Sequence, residues 1–322
     1  MTPSSVLVVK PSSLGDIVHT LPAVHFLKKT FPKADFFWIA NTEWLPLLED
    51  NADLKAVIPF PRRQFRGFAG IFKFVQWCRE LSHLEPDLVL DFQGLFRSAW
   101  ISRSVRGKSV LGLADAREAS RYHYHERAPV EADQHAVDRY LGLARLAGAD
   151  TSGPAHFPLP RGRPISSLEL PARFVILHPF ARGANKSLTP DEILQLTRSL
   201  APHPVIIVGR SRECFSVDRN GISLVNRTDL SQLIWLLRRA SFIVSVDSGP
   251  MHIGAAITAE LLSIHTWSDP GLVGPYNPDA WIWKDQCIFQ VRSIPHQVSR
   301  KQSDGRPDPA QIALFVCERL LQ

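Results

Sequence analysis

Two carboxylates, Asp16 and Asp247, each stand between an apolar run and a helical pattern, and that placement decides what they can do. Ser245-Val246-Asp247-Ser248-Gly249-Pro250-Met251-His252-Ile253-Gly254-Ala255-Ala256 continues the run Phe242–Val246, which reads as a buried parallel strand. It turns through Ser248-Gly249-Pro250, and the small residues Gly254–Ala256 suit a helix packed close on that strand. Pro250 fits the first helical turn, where its missing N–H costs nothing. The helix N-terminus then offers backbone N–H groups and a partial positive charge to an anion, most naturally a phosphate. A plain strand–turn–helix connection with an Asp-Ser-Gly turn accounts for the same residues equally well.

Near the N-terminus, Val6-Leu7-Val8-Val9 is a wholly apolar, largely β-branched strand, and Lys10-Pro11-Ser12-Ser13-Leu14-Gly15-Asp16 is the loop after it. From Ile17 the pattern turns helical, with Ile17, Leu21, Val24, Leu27 and Phe31 on one face. Asp16 is either a cap and dipole partner of that helix or a general base at the carboxyl edge of a parallel sheet, where open α/β folds bind ligands. His19, one turn on, reads first as a packing or surface histidine. Arginines form the third group. Arg62, Arg63 and Arg66 follow a third strand, Arg97 and Arg103 lie in a later helix, and Arg117 and Arg121 follow a fifth strand. Such residues clamp an anionic acceptor bidentately or simply make a solvated basic face.

The elements that must position these groups alternate. Phe36–Ala40, Lys55–Pro59, Asp87–Asp91 and Val110–Leu113 read as strands, with helical patterns at Trp44–Leu48, Ile71–Leu84, Gln93–Ser104 and Gln134–Ala147 between and after them. That alternation implies a parallel, doubly wound sheet. Pro154, Pro158, Pro160, Pro164 and Pro171 then interrupt helix and sheet alike, so residues 1–153 and 172–322 are expected to be two domains. The second repeats the architecture with strands at Phe174–Leu177, Val205–Val208, Phe242–Val246 and Leu261–Ile264. Thr189-Pro190-Asp191-Glu192 is a capping box, Asp229-Leu230-Ser231-Gln232 starts an amphipathic helix, and Pro309–Leu321 closes the chain. The closing helix could return to the N-terminal domain. Two Rossmann-like α/β domains with parallel sheets facing across a cleft make the GT-B arrangement.

Composition narrows the function classes. The 322 residues are 45% hydrophobic and 21% charged, with a net charge of +6, ordinary for a soluble protein with acidic partners. Twelve Lys and Arg against seven Asp and Glu lie between Arg62 and Arg127, so most of the surplus sits there. Cys78, Cys214, Cys287 and Cys317 have neither zinc nor redox spacing. No leader segment and no apolar run of bilayer length are evident, so a cytoplasmic location in contact with a membrane surface is expected. The basic residues lack the interleaved aromatics of a nucleic-acid module, so no nucleic-acid partner is expected. The three-glycine dinucleotide fingerprint is missing, which disfavours a nicotinamide oxidoreductase.

Val8–Pro22 resembles the N-terminal signature of glycosyltransferase family 9, the bacterial heptosyltransferases. Asp247-Ser248-Gly249-Pro250-Met251-His252 resembles its C-terminal signature, and Asp269-Pro270-Gly271 with Gly274-Pro275-Tyr276 a further block. Gln134-His135-Ala136-Val137 and Asp115-Ala116-Arg117-Glu118 point to the heptosyltransferase I branch. The resemblance implies an inverting, metal-independent transfer of heptose from ADP-heptose, without a cofactor, to an anionic glycolipid acceptor: a Kdo sugar on lipid A. It assigns Asp16 as catalytic base and Lys186 to the diphosphate. Ser12, Ser13, Gly15, Asp247, Ser248, Gly249 and His252 fall in the donor-binding set, with Glu213 and Thr228 in the adenosine region. Arg62, Arg63, Arg66, Arg117 and His135 are implied to grip the acceptor. Leu188 stands where the family commonly carries Trp. Two rivals remain: a transferase of the same fold using another nucleotide sugar, and a non-catalytic nucleotide-binding module.

Overall fold

The structure, a computed structural model, describes residues 2–166, 168–295, 303 and 305–321. The chain divides at Pro160–Arg161, inside the proline-rich stretch, into two compact units.

The first unit is built on β1 (Ser5–Val9), β2 (Asp35–Asn41), β3 (Ala56–Phe60), β4 (Leu88–Asp91), β5 (Ser109–Leu113) and β6 (Glu126–Ala128). They form one all-parallel sheet in the order β3-β2-β1-β4-β5-β6. Its long helices are α1 (Leu14–Thr30), α2 (Gly67–Glu80), α3 (Phe96–Ser104) and α4 (Ala136–Leu146). Val6–Val9 are buried throughout, the mark of a central strand covered on both faces. Ile17, Leu21, Val24 and Leu27 are buried as their spacing requires. The helical pattern at Trp44–Leu48 proves to be a 3₁₀ segment, Thr42–Leu47, with Pro46 inside it. Proline removes a backbone donor and clashes with the preceding turn, which keeps such a piece short.

The second unit contains β7 (Val175–His178), β8 (Val205–Ile207), β9 (Gly221–Ser223), β10 (Phe242–Val246), β11 (Leu261–Ile264), β12 (Trp281–Lys284) and β13 (Cys287–Gln290). The order is β13-β12-β11-β10-β7-β8-β9. All pairs are parallel except the last: β13 runs antiparallel to β12, a departure from the wholly parallel sheet expected. A two-residue turn makes that reversal, with φ of 50° at Asp285 and 61° at Gln286. Positive φ at both central residues is the geometry that matches strand twist in a hairpin. The helices are α5 (Pro190–Ser199), α6 (Leu230–Arg239), α7 (Gly249–Ile257), the single turn α8 (Pro270–Val273) and α9 (Pro309–Leu321). Thr189 and Glu192 cap α5 reciprocally, and Asp229 and Gln232 do the same for α6. Each such cap stabilises by about 1 kcal/mol. Helix α9 packs on α5 and buries Ile312, Ala313 and Val316 in this unit's own core. Among the described residues no helix is long and apolar enough to cross a membrane.

Apart from the added β13, both sheets therefore share one strand order. Each reverses direction beside its first strand, at β1/β4 and at β7/β10. Loops leaving the carboxyl ends of those strands diverge there and leave a crevice for ligands.

Candidate active site

In the first unit that crevice is bounded by the loop after β1 and the loop after β4. The Ser12 N–H donates to Gln93 Oε1 at 3.1 Å and ties the two together. Asp16 lies in the first turn of α1. Its Oδ2 accepts from the Ser13 N–H at 2.8 Å and the Ser13 hydroxyl at 2.6 Å. That is the capping role open to any acid at this position. Oδ1 does something else: it accepts from the Tyr140 hydroxyl at 3.2 Å, with Lys10 Nζ 4.0 Å away. Lys10 Nζ in turn donates to the Tyr140 hydroxyl at 2.8 Å and to the Phe92 carbonyl at 2.9 Å. The Lys10 side chain is only 3% exposed, whereas that of Asp16 is 38% exposed. Burial lowers the Lys10 pKa, opposed by the nearby Asp16 and Asp91 carboxylates. Burial and the Asp16 charge push the Tyr140 hydroxyl well above its ordinary value, so it stays a donor. The result is a carboxylate that accepts from Ser13 and Tyr140 while its side chain stays partly exposed, a geometry suited to accepting a proton.

Behind the β4 loop, Asp91 is wholly buried and accepts from the Gln93 and Gly94 N–H groups and from the Ser98 and Tyr124 hydroxyls. Burial raises its pKa, against those four donors. It fixes the loop whose Gln93 side chain accepts from the Ser12 N–H.

In the second unit the crevice lies between the loop after β7 and the turn after β10. Lys186, from the first loop, donates to Asp247 Oδ2 at 2.9 Å, and the Ser268 hydroxyl donates to the same oxygen at 2.6 Å. Here the carboxylate side chain is 11% exposed and the lysine 30%. Burial alone would push the Asp247 carboxyl up. The neighbouring His265, the Ser268 hydroxyl, the Lys186 ammonium and His252 outweigh it and hold the pKa at about 2. His265 is enclosed, with Nδ1 3.0 Å from Ser268 Oγ and Nε2 3.1 Å from Ser263 Oγ; burial pushes it down to about 4 in spite of Asp247. His178 contacts the Ser248 hydroxyl through Nδ1 at 3.1 Å, and burial lowers it to about 4 as well. Both rings are neutral at pH 7, and the Lys186 ammonium is the one hydrogen-bonded to Asp247. Ser248 precedes α7, Gly249 is its first residue and Pro250 its second, so the helix N-terminus opens beside Lys186. That pairing of an ammonium with a helix N-terminus suits a diphosphate.

The other residues implied by the resemblance fall as follows. Ser13 is engaged with Asp16, and Gly15 is buried in the first turn of α1. His135 caps α4, accepting from the Val137 N–H at 3.1 Å, and its ring lies 5.5 Å from that of the buried His19, one turn beyond Asp16. Arg62, Arg63 and Arg66 surround the turn after β3, anchored by buried Phe65; Arg63 also pairs with Glu43. Arg117 follows β5, its N–H bonded to the Gly94 carbonyl. The two arginine groups thus leave the carboxyl edge two strands to either side of β1, about 10 Å of sheet width each way. Glu213 is exposed and Thr228 half-buried; the loops that carry them are stitched by paired bonds between Ser211 and Asn226. Leu188 is buried in the core of the second unit, and its N–H bonds to the Pro179 carbonyl.

Spacing did not reveal Lys10, Tyr140, His178, His265, Ser268 or Arg306 as parts of these sites. Arg306 donates to the Ser187 carbonyl at 2.8 Å and to Glu192 at 2.9 Å, bracing the Lys186 loop against α5. Lys10 alone left a signal: a lysine that directly ends a central strand has no short way to water.

The sequence pattern described as glycosyltransferase family 9 (heptosyltransferase) matches residues 75–173 and 210–292. Lipopolysaccharide heptosyltransferase 1 of Pseudomonas aeruginosa is 27% identical over 332 residues, covering 93% of this chain and 90% of that protein. Its namesake from Escherichia coli K12 is 29% identical over 307 residues, covering 86% and 92%. Among solved structures, the E. coli heptosyltransferase WaaC with ADP superposes with a TM-score of 0.78 at 22% identity, covering 98% of this chain and 99% of that one. E. coli ADP-heptose lps heptosyltransferase II gives 0.76 at 20% identity, covering 98% of each. The fold is that of these GT-B enzymes, and the matched pattern spans more than half of the sequence. The chain is a glycosyltransferase and belongs to glycosyltransferase family 9, the heptosyltransferases.

Proposed function

We propose that the protein transfers heptose from ADP-heptose to a Kdo sugar of a lipid A-linked inner-core acceptor, with inversion at the anomeric carbon. The observation that carries this reading is the pair of crevices: an open carboxylate in one unit, an open lysine beside a helix N-terminus in the other. In the proposed reaction Asp16 takes the proton of the acceptor hydroxyl as its oxygen bonds to the anomeric carbon. The bond from that carbon to the diphosphate breaks, and the departing ADP carries the electron pair. Lys186 and the N-terminus of α7 offset the charge that gathers on it, without a metal ion. Ser248, Gly249 and His252 line the diphosphate, Asp247 aims Lys186, and Glu213 and Thr228 flank the adenosine. Arg62, Arg63, Arg66, Arg117 and His135 hold acceptor carboxylates and phosphates. A donor of this kind is supported by the E. coli WaaC structure with ADP-2-deoxy-2-fluoro heptose, which superposes with a TM-score of 0.73.

The test is to incubate the purified protein with ADP-heptose and defined Kdo-lipid A and to look for one added heptose by mass. A parallel panel of other nucleotide sugars separates a different donor. Transfer from another donor alone, or ADP binding with no transfer at all, overturns the proposal.

A further inference from the structure

Helix α2 divides its apolar residues between two environments. Gly70, Phe74, Trp77 and Cys78 turn to the core, where Phe74 and Trp77 pack around Phe60 and Phe65. Phe68, Ile71 and Phe72 lie at the i, i+3, i+4 spacing of a second stripe and are 89%, 58% and 78% exposed. Next to it, α3 leaves Phe96 and Trp100 about half exposed, and Trp100 reaches α2 through Phe74, ring to ring, at 6.4 Å. Single exposed apolar residues need no explanation, but five large ones on two neighbouring helices do.

The surrounding charge says what covers them. From Pro61 to Gln76 the chain carries Arg62, Arg63, Arg66 and Lys73 and no acidic residue. Helix α3 adds Arg97, whose guanidinium lies 6.0 Å over the Phe74 ring, and Arg103, which lines a cavity of about 330 Å³ with Phe96, Trp100, Ser104 and His123. Glu118, which accepts from the Phe96 N–H at 3.1 Å, and Glu43, paired with Arg63, are outnumbered, and an aromatic and aliphatic centre with a predominantly basic rim is complementary to an anionic lipid surface. It is poorly suited to a second copy of the chain, because a twofold contact would set this rim against itself.

We propose that this face docks on an anionic lipid bilayer, with Phe68, Ile71 and Phe72 entering the boundary between headgroups and acyl chains and the basic rim resting on lipid phosphates. The inference goes beyond the transfer reaction and stands on exposure and charge alone.

Flotation with vesicles tests it in the absence of donor and acceptor, so its failure is separate from any failure of the proposed chemistry. Phosphatidylcholine vesicles are compared with vesicles that also contain phosphatidylglycerol. The full chain is expected to float with the anionic vesicles only, and less so as salt is raised. Phe68→Ser with Phe72→Ser should weaken that binding by roughly tenfold or more, and Lys73→Glu should weaken it too. ADP affinity and the melting temperature should not change, since these side chains are exposed. No flotation of the unaltered protein, equal flotation with neutral vesicles, or undiminished binding by the double variant overturns the proposal. A dimer in the ultracentrifuge that the double variant abolishes, without vesicle binding, assigns the face to a second copy and overturns it as well.

Discussion

The two units place an acid and a lysine at the same topological position and turn them opposite ways. At the β1/β4 crevice the carboxylate faces out and the lysine is sealed behind it, 38% against 3% exposed. At the β7/β10 crevice the carboxylate is sealed and the lysine faces out, 11% against 30%. In each pair the partner that faces out is the one accessible to a ligand, and the inner one contacts it from behind. On the function proposed above, one scaffold would thereby serve as a proton acceptor in one unit and as an anion holder in the other. Strand order cannot distinguish these outcomes; a few side chains behind the crevice do.

The strongest way to break the comparison is to neutralise the outward carboxylate. Asp16→Asn keeps the shape and removes the proposed base, so kcat is expected to fall by roughly 10²–10⁴ while ADP affinity stays unchanged. A loss confined to ADP binding, measured by titration, would make Asp16 a structural cap only.

The next effect belongs to the second unit. His178 and His265 have an ordinary pKa of 6.5 and are held at about 4 in the folded chain. Between those values the unfolded chain takes up protons that the folded chain refuses. Their contribution to stability is complete above pH 6.5 and is lost as the pH falls toward 4, about 3 kcal/mol for each ring. Urea midpoints that stay level from neutral pH down to about 4 would contradict this burial.

Removing the outward lysine should cost less than removing the base. Lys186→Ala is expected to lower turnover about a hundredfold and to weaken ADP binding as well, because the diphosphate is charged before and during the reaction. Steady-state rates and ADP titrations that both hold steady would take Lys186 out of the site. The smallest effect probes the inner layer of the first unit. Tyr140→Phe deletes the hydroxyl between Lys10 and Asp16, and kcat should fall about tenfold, with stability lower by about 1–3 kcal/mol. An unchanged kcat would show that Asp16 needs no help from behind.

Much of the architecture was legible because the central strands are continuous apolar runs. Val6–Val9 and Phe242–Val246 have no other sensible place than between two layers. The edges were not legible. Strand β6 is three residues long and carries exposed Glu126 and Arg127, and β9 is three half-buried residues, so neither has a pattern to detect. The hairpin β12–β13 turns at Asp285-Gln286, which lacks the glycine that announces such turns. The site shows the same division. Asp16, Asp247 and Lys186 stand out by their position relative to strand ends and signatures. Their partners come from remote parts of the chain: Tyr140 lies 124 residues from Asp16, and Ser268 lies 21 from Asp247. Those contacts exist only once the sheet is assembled, so local spacing holds no trace of them.

Lys10 and Lys284 have one more consequence. Both are enclosed, one behind each crevice, with their amines bonded to the carbonyls of Phe92 and Ser268. An acylating reagent cannot reach either nitrogen until the surrounding structure opens. Mass-resolved labelling at Lys10 and Lys284 therefore supplies two independent clocks in one polypeptide, each timing the opening of its own half.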